Sequence, residues 1–179
     1  AFLEKDLHPF IAYYAATYLS TYCKTISHSK SEKSKWGEWI HPDMVGCYFP
    51  MKTFEKSTIE LSDALGVSNA RLLSFELKKA LNFSNLRESF FQAVSNSSWA
   101  NEAYLCAAHI SSEPEFHEEL KRLSGSFGIG IILIEVEDPD STEIVFPAKY
   151  RESLDWEGIN KLCVNPDFRD FITRIKTDL

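Results

Sequence analysis

The sequence has few of the features that mark several specialised classes of protein. Its four cysteines are spread along 179 residues with no CxxC or metal-knuckle spacing, which excludes a disulfide-rich scaffold and favours a reducing, cytoplasmic setting. The longest apolar run, residues 129–134, is far shorter than the roughly 20 residues that span a bilayer. No basic-then-apolar leader opens the chain. We therefore expect a soluble protein without a membrane partner.

Positive charge is also scarce. Nineteen Lys and Arg stand against 26 Asp and Glu, which gives a formal net charge of −7. This balance excludes a domain that holds nucleic acid by bulk electrostatics alone, so any contact with phosphate has to be local. The length fits one domain over residues 1–179. Because the chain begins with Ala1 instead of Met, we expect it to be a fragment of a longer protein.

Two common catalytic signatures are missing. The sequence contains no GxSxG, and no Cys stands with a partnered His in a recognisable motif, so acyl transfer has no support. Gly125, Gly128 and Gly130 precede an apolar strand instead of following a strand and opening a helix, which is the wrong context for a phosphate loop. We expect turn and strand-packing glycines there. The cysteines have apolar neighbours and are expected to be small buried hydrophobes without chemistry.

Hydrophobic periodicity predicts alternating helices and strands. Strands are expected over residues 22–27, 43–49, 71–79, 103–110, 127–136 and 143–146. Helices are expected over residues 5–22, 58–65, 115–123, 154–163 and 167–176, with a further helix opened by a capping box of Asn85 and Glu88. This order predicts an α/β (α+β) fold with a central mixed sheet flanked by helices.

The residues best suited to chemistry lie on two predicted strands. Along residues 71–79 polar and apolar side chains alternate, so Glu76 and Lys78 share one face while Leu77 points into the core. A Pro-Asp dipeptide that ends at Asp43 stands at the start of the preceding strand. Phosphodiester cleavage needs carboxylates that hold a hard divalent cation and a positive group that orients water. If the two strands are neighbours, Asp43, Glu76 and Lys78 supply both, and the Leu77 carbonyl could complete the metal shell.

The same residues also suit a structural interpretation. A Glu and a Lys two positions apart on a half-exposed strand often form a solvated face, and Pro-Asp is a frequent turn dipeptide. The pattern alone leaves both interpretations open.

The motif resembles the signature of the restriction-endonuclease-like PD-(D/E)xK nuclease superfamily. It consists of Pro42-Asp43, a gap of 32 residues, and Glu76-Leu77-Lys78. The predicted order of helix, three strands, helix and strand resembles that family's core over about residues 5–110. The runs GEWIHPDMVGCYFP, SFELKKALNFSNLRESFFQAVSNSSWANE and SFGIGIILIEV are similar to HrgA-like bacterial proteins found near restriction-modification systems. In that group an N-terminal winged-helix module of the HARE type usually precedes the nuclease-like part, and we expect such a domain to be missing here.

The resemblance implies a Mg²⁺-dependent DNA endonuclease of a bacterial restriction or genome-defence system, with Mn²⁺ as an alternative cation. It implies that Asp43 and Glu76 bind the metal, that Lys78 positions the attacking water, and that Gln92 lies near the site. Inactive members of the superfamily exist, so a module that binds DNA or a protein partner without catalysis stays open. A different phosphodiesterase or RNase activity is a third alternative. A symmetric dimer is expected, because many restriction-type nucleases pair two active sites to cut both strands.

Six basic residues are expected to form a local positive strip for the DNA backbone: Lys30, Lys33, Lys35, Lys78, Lys79 and Arg87. A solubilising loop is an equal alternative for the first three. Trp36 and Trp39 either anchor this loop in the core or stack on a base.

Three further features near the motif have open roles. His28 and His41 flank the proposed site and suit a base or a ligand, although a lone loop histidine is more often structural or exposed. Glu38 is a candidate extra acidic ligand. The long gap between the two halves of the motif predicts an insertion over residues 54–69.

Overall fold

A single mixed sheet forms the centre of the computed structural model, which describes residues 1–27 and 41–179. Its six strands pair in chain order: β1 (Thr21–Thr25), β2 (Met44–Tyr48), β3 (Arg71–Leu81), β4 (Glu102–Ile110), β5 (Gly130–Leu133) and β6 (Glu143–Phe146). Strands β1, β2 and β3 are antiparallel, β3, β4 and β5 are parallel, and β6 is antiparallel to β5. The predicted α/β class with a mixed sheet is confirmed.

Six α-helices accompany the sheet in the described part of the chain. They are α1 (His8–Tyr18), α2 (Lys56–Ala64), α3 (Leu86–Ser95), α4 (Pro114–Phe127), α5 (Trp156–Leu162) and α6 (Pro166–Asp178). A short 3-10 turn, Glu4–Leu7, leads into α1. Among the described residues, no helix is both long and apolar enough to cross a membrane.

Strand β3 divides the core into two layers, because its side chains point alternately to the two faces of the sheet. Phe75 and Leu77 lie in one apolar cluster with Ile11 of α1. Leu72 lies in a second cluster, on the opposite face, with Phe168 of α6. A third cluster packs α3 and α4 over β4 and β5. The even-numbered residues of β3, including Glu76 and Lys78, therefore face the side covered by α3 and α6.

Two predicted element boundaries are wrong. The first helix ends at Tyr18 and not at 22, because Ser20 adopts a left-handed backbone (φ 48°) and β1 begins at Thr21. The strand predicted over residues 127–136 covers only Gly130–Leu133. Helix α4 continues to Phe127, and Gly128 with φ 74° ends it as a left-handed cap.

The predicted capping box of Asn85 and Glu88 is also wrong. The Asn85 side chain makes no cap hydrogen bond to α3. Its Nδ2 instead donates to the Ala80 carbonyl at 2.7 Å, and its Oδ1 accepts from the Asn82 N–H at 3.0 Å. The Asn85 side chain is therefore hydrogen-bonded to the turn that follows β3, and it is not used to cap α3.

The predicted insertion over 54–69 holds α2, which carries little of the core. Only Ser62 of this helix is buried, while Leu61 and Leu65 remain 60% and 71% exposed. Ser62 Oγ lies 2.8 Å from the Ile59 carbonyl oxygen and 3.0 Å from Asn69 Oδ1, and its single proton is donated to one of these two acceptors. Both acceptors belong to the same segment as Ser62.

The cysteines have the inert character that the sequence predicts. All four are free thiols; Cys47 and Cys106 are buried, and Cys23 and Cys163 are half-buried. Burial raises the pKa of Cys23 and of Cys47 to about 12, so both remain protonated at neutral pH.

Gly130 gives a direct test of the packing between β5 and β4. A Cβ built at this position would lie 2.5 Å from the Tyr104 ring and 2.7 Å from the Ala148 amide nitrogen. We expect Gly130→Ala to lower the free energy of unfolding by about 1–3 kcal/mol, because ring and backbone have to shift. Gly125→Ala is the matched control, since a Cβ there meets nothing within 4 Å. Equal denaturant midpoints for the two variants would contradict the close packing.

Candidate functional site

The register of the sheet places Asp43 beside the middle of β3. Met44 pairs with Phe75, so Asp43, one position earlier, stands opposite Glu76. The Asp43 Oδ2 accepts a hydrogen bond from the Leu77 N–H at 2.8 Å. On its other side the Asp43 carbonyl accepts from the Ile26 N–H at 2.9 Å. Backbone contacts on both sides thus hold Asp43 against β3.

A hydrogen-bond chain joins three of the predicted site residues. Lys78 Nζ donates to Gln92 Oε1 at 3.1 Å, and Gln92 Nε2 donates to Glu76 Oε1 at 2.7 Å. Glu76 and Lys78 reach the same face because they are two positions apart on β3. Gln92 comes from α3, whose apolar face packs on β4 and β5 through Phe90. The structure therefore brings Asp43, Glu76, Lys78 and Gln92 together.

Asn96 is a fifth member of this group, and the sequence analysis missed it. Its Nδ2 donates to Glu76 Oε2 at 3.4 Å. Asn96 follows Gln92 by four residues, one helical turn, so both amides face Glu76 from the end of α3. That spacing is the signal that could have found it, because a residue one turn after a site residue lies on the same helix face.

Burial and a second carboxyl group dominate the electrostatics of the site. Glu76 is 2% exposed. Burial first, and the charge and hydrogen bond of Asp43 second, raise the pKa of Glu76 from 4.5 to about 9. The Asn96 hydrogen bond and the Lys78 charge act in the opposite direction. In the protein without a cation, Glu76 is therefore largely protonated at neutral pH and shares its proton with Asp43.

Two crowded carboxyl groups are a donor set that suits a hard divalent cation. A cation relieves the repulsion that raises the pKa of Glu76, because it favours the ionised form of both groups. Within residues 1–27 and 41–179, no group of three or more His, Cys, Asp or Glu side chains could hold a metal. Mg²⁺ is commonly bound through one or two carboxylates, with water and substrate phosphate as the remaining ligands. Asp43 and Glu76 fit that pattern.

Leu77 makes one contact at the site that the sequence does not predict. Its side chain is fully buried in the cluster with α1, as expected. Its N–H binds Asp43 and so helps to orient that carboxylate. The use of the Leu77 carbonyl as a metal ligand stays a prediction.

Two of the predicted DNA-binding residues lie away from this group. Lys79 points to the opposite face of the sheet, where its Nζ lies 5.1 Å from the centroid of the Phe2 ring. Arg87 is exposed on α3 and lies 3.6 Å from Glu119 of α4. The predicted strip is therefore not continuous among Lys78, Lys79 and Arg87.

The other sequence-predicted residues near the motif are only partly described. His41 is 1% exposed, and its Nδ1 lies 3.2 Å from the Pro42 carbonyl oxygen, which favours a structural place for the ring. Six further residues lie outside the described part of the chain: His28, Lys30, Lys33, Lys35, Trp36 and Glu38. The same holds for Trp39.

Comparisons with known proteins do not identify a family for this chain. A scan against protein-family models and searches of curated proteins and of solved structures each found no match. The function therefore rests on the chemistry of the residues that meet at β3 and α3.

Proposed function

We propose that this chain is a Mg²⁺-dependent DNA endonuclease domain with a restriction-endonuclease-like core, of a bacterial restriction or genome-defence system. One observation carries the proposal. Four residues of the sequence-predicted site meet on one face of β3, and three of them form a continuous hydrogen-bond chain. A solvated strand face would leave Glu76 exposed, whereas here it is buried.

In this proposal Asp43 and Glu76 hold the cation. The Leu77 N–H and the Gln92 amide fix one oxygen of each carboxylate, at 2.8 Å and 2.7 Å. When bound, Mg²⁺ supplies a Lewis acid that polarises a phosphoryl oxygen and lowers the pKa of bound water. Burial and the mutual repulsion of the two groups disfavour their ionised forms, and a bound cation would offset that cost because it favours ionisation of both.

Lys78 provides the positive group that phosphodiester hydrolysis needs. Its ammonium is half-buried and is held by Gln92 Oε1. A cation in that position orients a water molecule and stabilises charge that develops on the phosphate oxygens. Gln92 connects this ammonium to Glu76, so hydrogen bonds join the proposed metal-binding and water-positioning groups.

The proposal is tested by cleavage of supercoiled plasmid DNA with Mg²⁺ and with excess chelator. We expect nicking that requires the metal, and a loss of at least about 100-fold in Asp43→Ala, because a water molecule in place of the carboxylate carries no negative charge to hold the cation. Asp170→Ala is the matched control, since Asp170 is exposed on α6, and full activity is expected. RNA of the same length is assayed in parallel to separate an RNase from a DNase.

Two outcomes would contradict this function. Asp43→Ala protein that nicks DNA as fast as the wild type would place the activity elsewhere. A pure, folded wild type that never cleaves DNA with Mg²⁺ or Mn²⁺ would favour a non-catalytic module on the same scaffold.

A further inference from the structure

Asn96 contacts Glu76, and the proposed function leaves its role open. It is 3% exposed and stands at the C-terminal cap of α3. Its Nδ2 lies 3.4 Å from Glu76 Oε2, while Gln92 Nε2 lies 2.7 Å from Glu76 Oε1. Each oxygen of Glu76 thus has its own amide donor, and both donors come from the same helix.

The local fold does not need the Asn96 side chain. The Asn96 N–H donates to the Gln92 carbonyl at 3.0 Å, and the Asn96 carbonyl accepts from the Trp99 indole N–H at 2.8 Å. These backbone contacts end α3 and anchor Trp99 whatever side chain stands at position 96. The amide is therefore available for a task other than capping.

The amide oxygen of Asn96 also indicates that this side chain is not there for local structure. Its Oδ1 is buried and has no hydrogen-bond partner among the described residues. Turning the amide over would place the oxygen on Glu76 and leave the nitrogen unpaired instead. A buried polar atom without a partner destabilises the folded state. An apolar residue would avoid that penalty, so the side chain is better explained by what its other end does to Glu76.

We propose that Asn96 is a positioning residue for the metal-binding carboxylate: with Gln92, it holds both oxygens of Glu76 in one orientation from the end of α3. This inference rests on the proposed function, because it assigns Asn96 a part in cation binding. Hydrogen-bonding partners of metal ligands fix the orientation of the ligand, and their removal weakens binding without removing the ligand itself.

The test is calorimetric titration of Mn²⁺ into the wild type, Asn96→Ala and a matched control, Ser97→Ala. Ser97 is equally buried at the end of α3, and its Oγ donates to the Val94 carbonyl at 2.7 Å. Each variant loses one side-chain hydrogen bond at the same helix end, but only Asn96 contacts Glu76. We expect Mn²⁺ affinity about 10-fold lower in Asn96→Ala and unchanged in Ser97→Ala.

A second variant guards against loss of folding. If Asn96→Ala does not fold, Asn96→Ser is titrated, because the shorter hydroxyl does not reach Glu76 Oε2 and the same tenfold loss is expected. Wild-type affinity in the folded variant, or an equal loss in Ser97→Ala, would overturn the role of Asn96 while the proposed function stands. A wild type that binds no Mn²⁺ even with a short DNA duplex present would overturn the proposed function, and with it the part of Asn96 in cation binding.

Discussion

Lys78→Ala is expected to lower kcat for DNA cleavage by about 10²–10³-fold, the usual cost of removing one group that stabilises charge in a transition state. The ammonium is held at 3.1 Å from Gln92 Oε1 on the same strand face as Glu76, so its position is fixed before substrate arrives. A charge that is already in place stabilises the transition state more than the bound substrate. We therefore expect kcat to fall with little change in KM. The measurement is single-turnover cleavage of a labelled duplex at saturating Mg²⁺.

Lys79→Ala is the matched control for this prediction. It removes the same charge from the neighbouring residue, but the Lys79 side chain lies on the opposite face of β3, over the Phe2 ring. Its kcat is expected to remain close to that of the wild type. Equal losses of kcat in both variants would mean that overall charge, and not the placed ammonium of Lys78, supports cleavage.

Glu76→Gln is expected to stabilise the cation-free protein while it abolishes metal binding. Burial and the neighbouring Asp43 raise the pKa of Glu76 from 4.5 to about 9, so the folded state binds a proton that the unfolded state releases. The wild type therefore loses stability as the pH rises from about 4.5 towards 9. At about 1.4 kcal/mol per pKa unit, the gain in Glu76→Gln reaches up to about 3 kcal/mol at pH 7.

The sign of this effect is checked by urea unfolding at several pH values without divalent cations. The free energy of unfolding should fall with rising pH in the wild type and change less in Glu76→Gln, so the two curves separate above pH 5. Glu88→Gln, on the exposed side of α3, is the control and should follow the wild type. Parallel curves for the wild type and Glu76→Gln would mean that Glu76 is ionised and solvated in the folded protein.

The stability expected of Glu76→Gln has a direct physical origin. A carboxyl pair at the centre of a sheet face lowers the stability of the cation-free fold, and such local costs are characteristic of functional sites. Packing alone does not explain a buried carboxyl group next to a second carboxyl group, because an apolar side chain would fill the same space without that cost.

The alternation along β3 allows both the strand and the site face to be predicted from sequence. Polar side chains at positions 76 and 78, between apolar ones at 75 and 77, predict a strand with one polar and one apolar face, because no helix brings those pairs together. The burial of Glu76 on the polar face does not follow from this pattern. Gln92 is expected near the site only because the family resemblance implies it. The pairing of Asp43 with this strand is an expectation that the register of β2 confirms.

Other features depend on contacts that local patterns do not contain. Asn85 has the residue type of a helix cap, but the turn after β3 offers its side chain a nearer partner at Ala80. The burial of Asn96 depends on how α3 lies against β3, which periodicity does not determine. Helix α2 lies in the long gap between the two halves of the motif and is largely exposed, while its being an insertion stays a prediction.

The most direct measurement of the central claim is the titration of Mn²⁺ into the wild type and into Asp43→Ala, each with and without a short DNA duplex. The account predicts binding to one site per chain in the wild type, tighter with the duplex because phosphate oxygens complete the metal shell. It predicts that this binding is lost in folded Asp43→Ala protein under both conditions. Identical binding curves for the two proteins, or no binding to the wild type even with DNA present, would contradict a metal site built on Asp43 and Glu76.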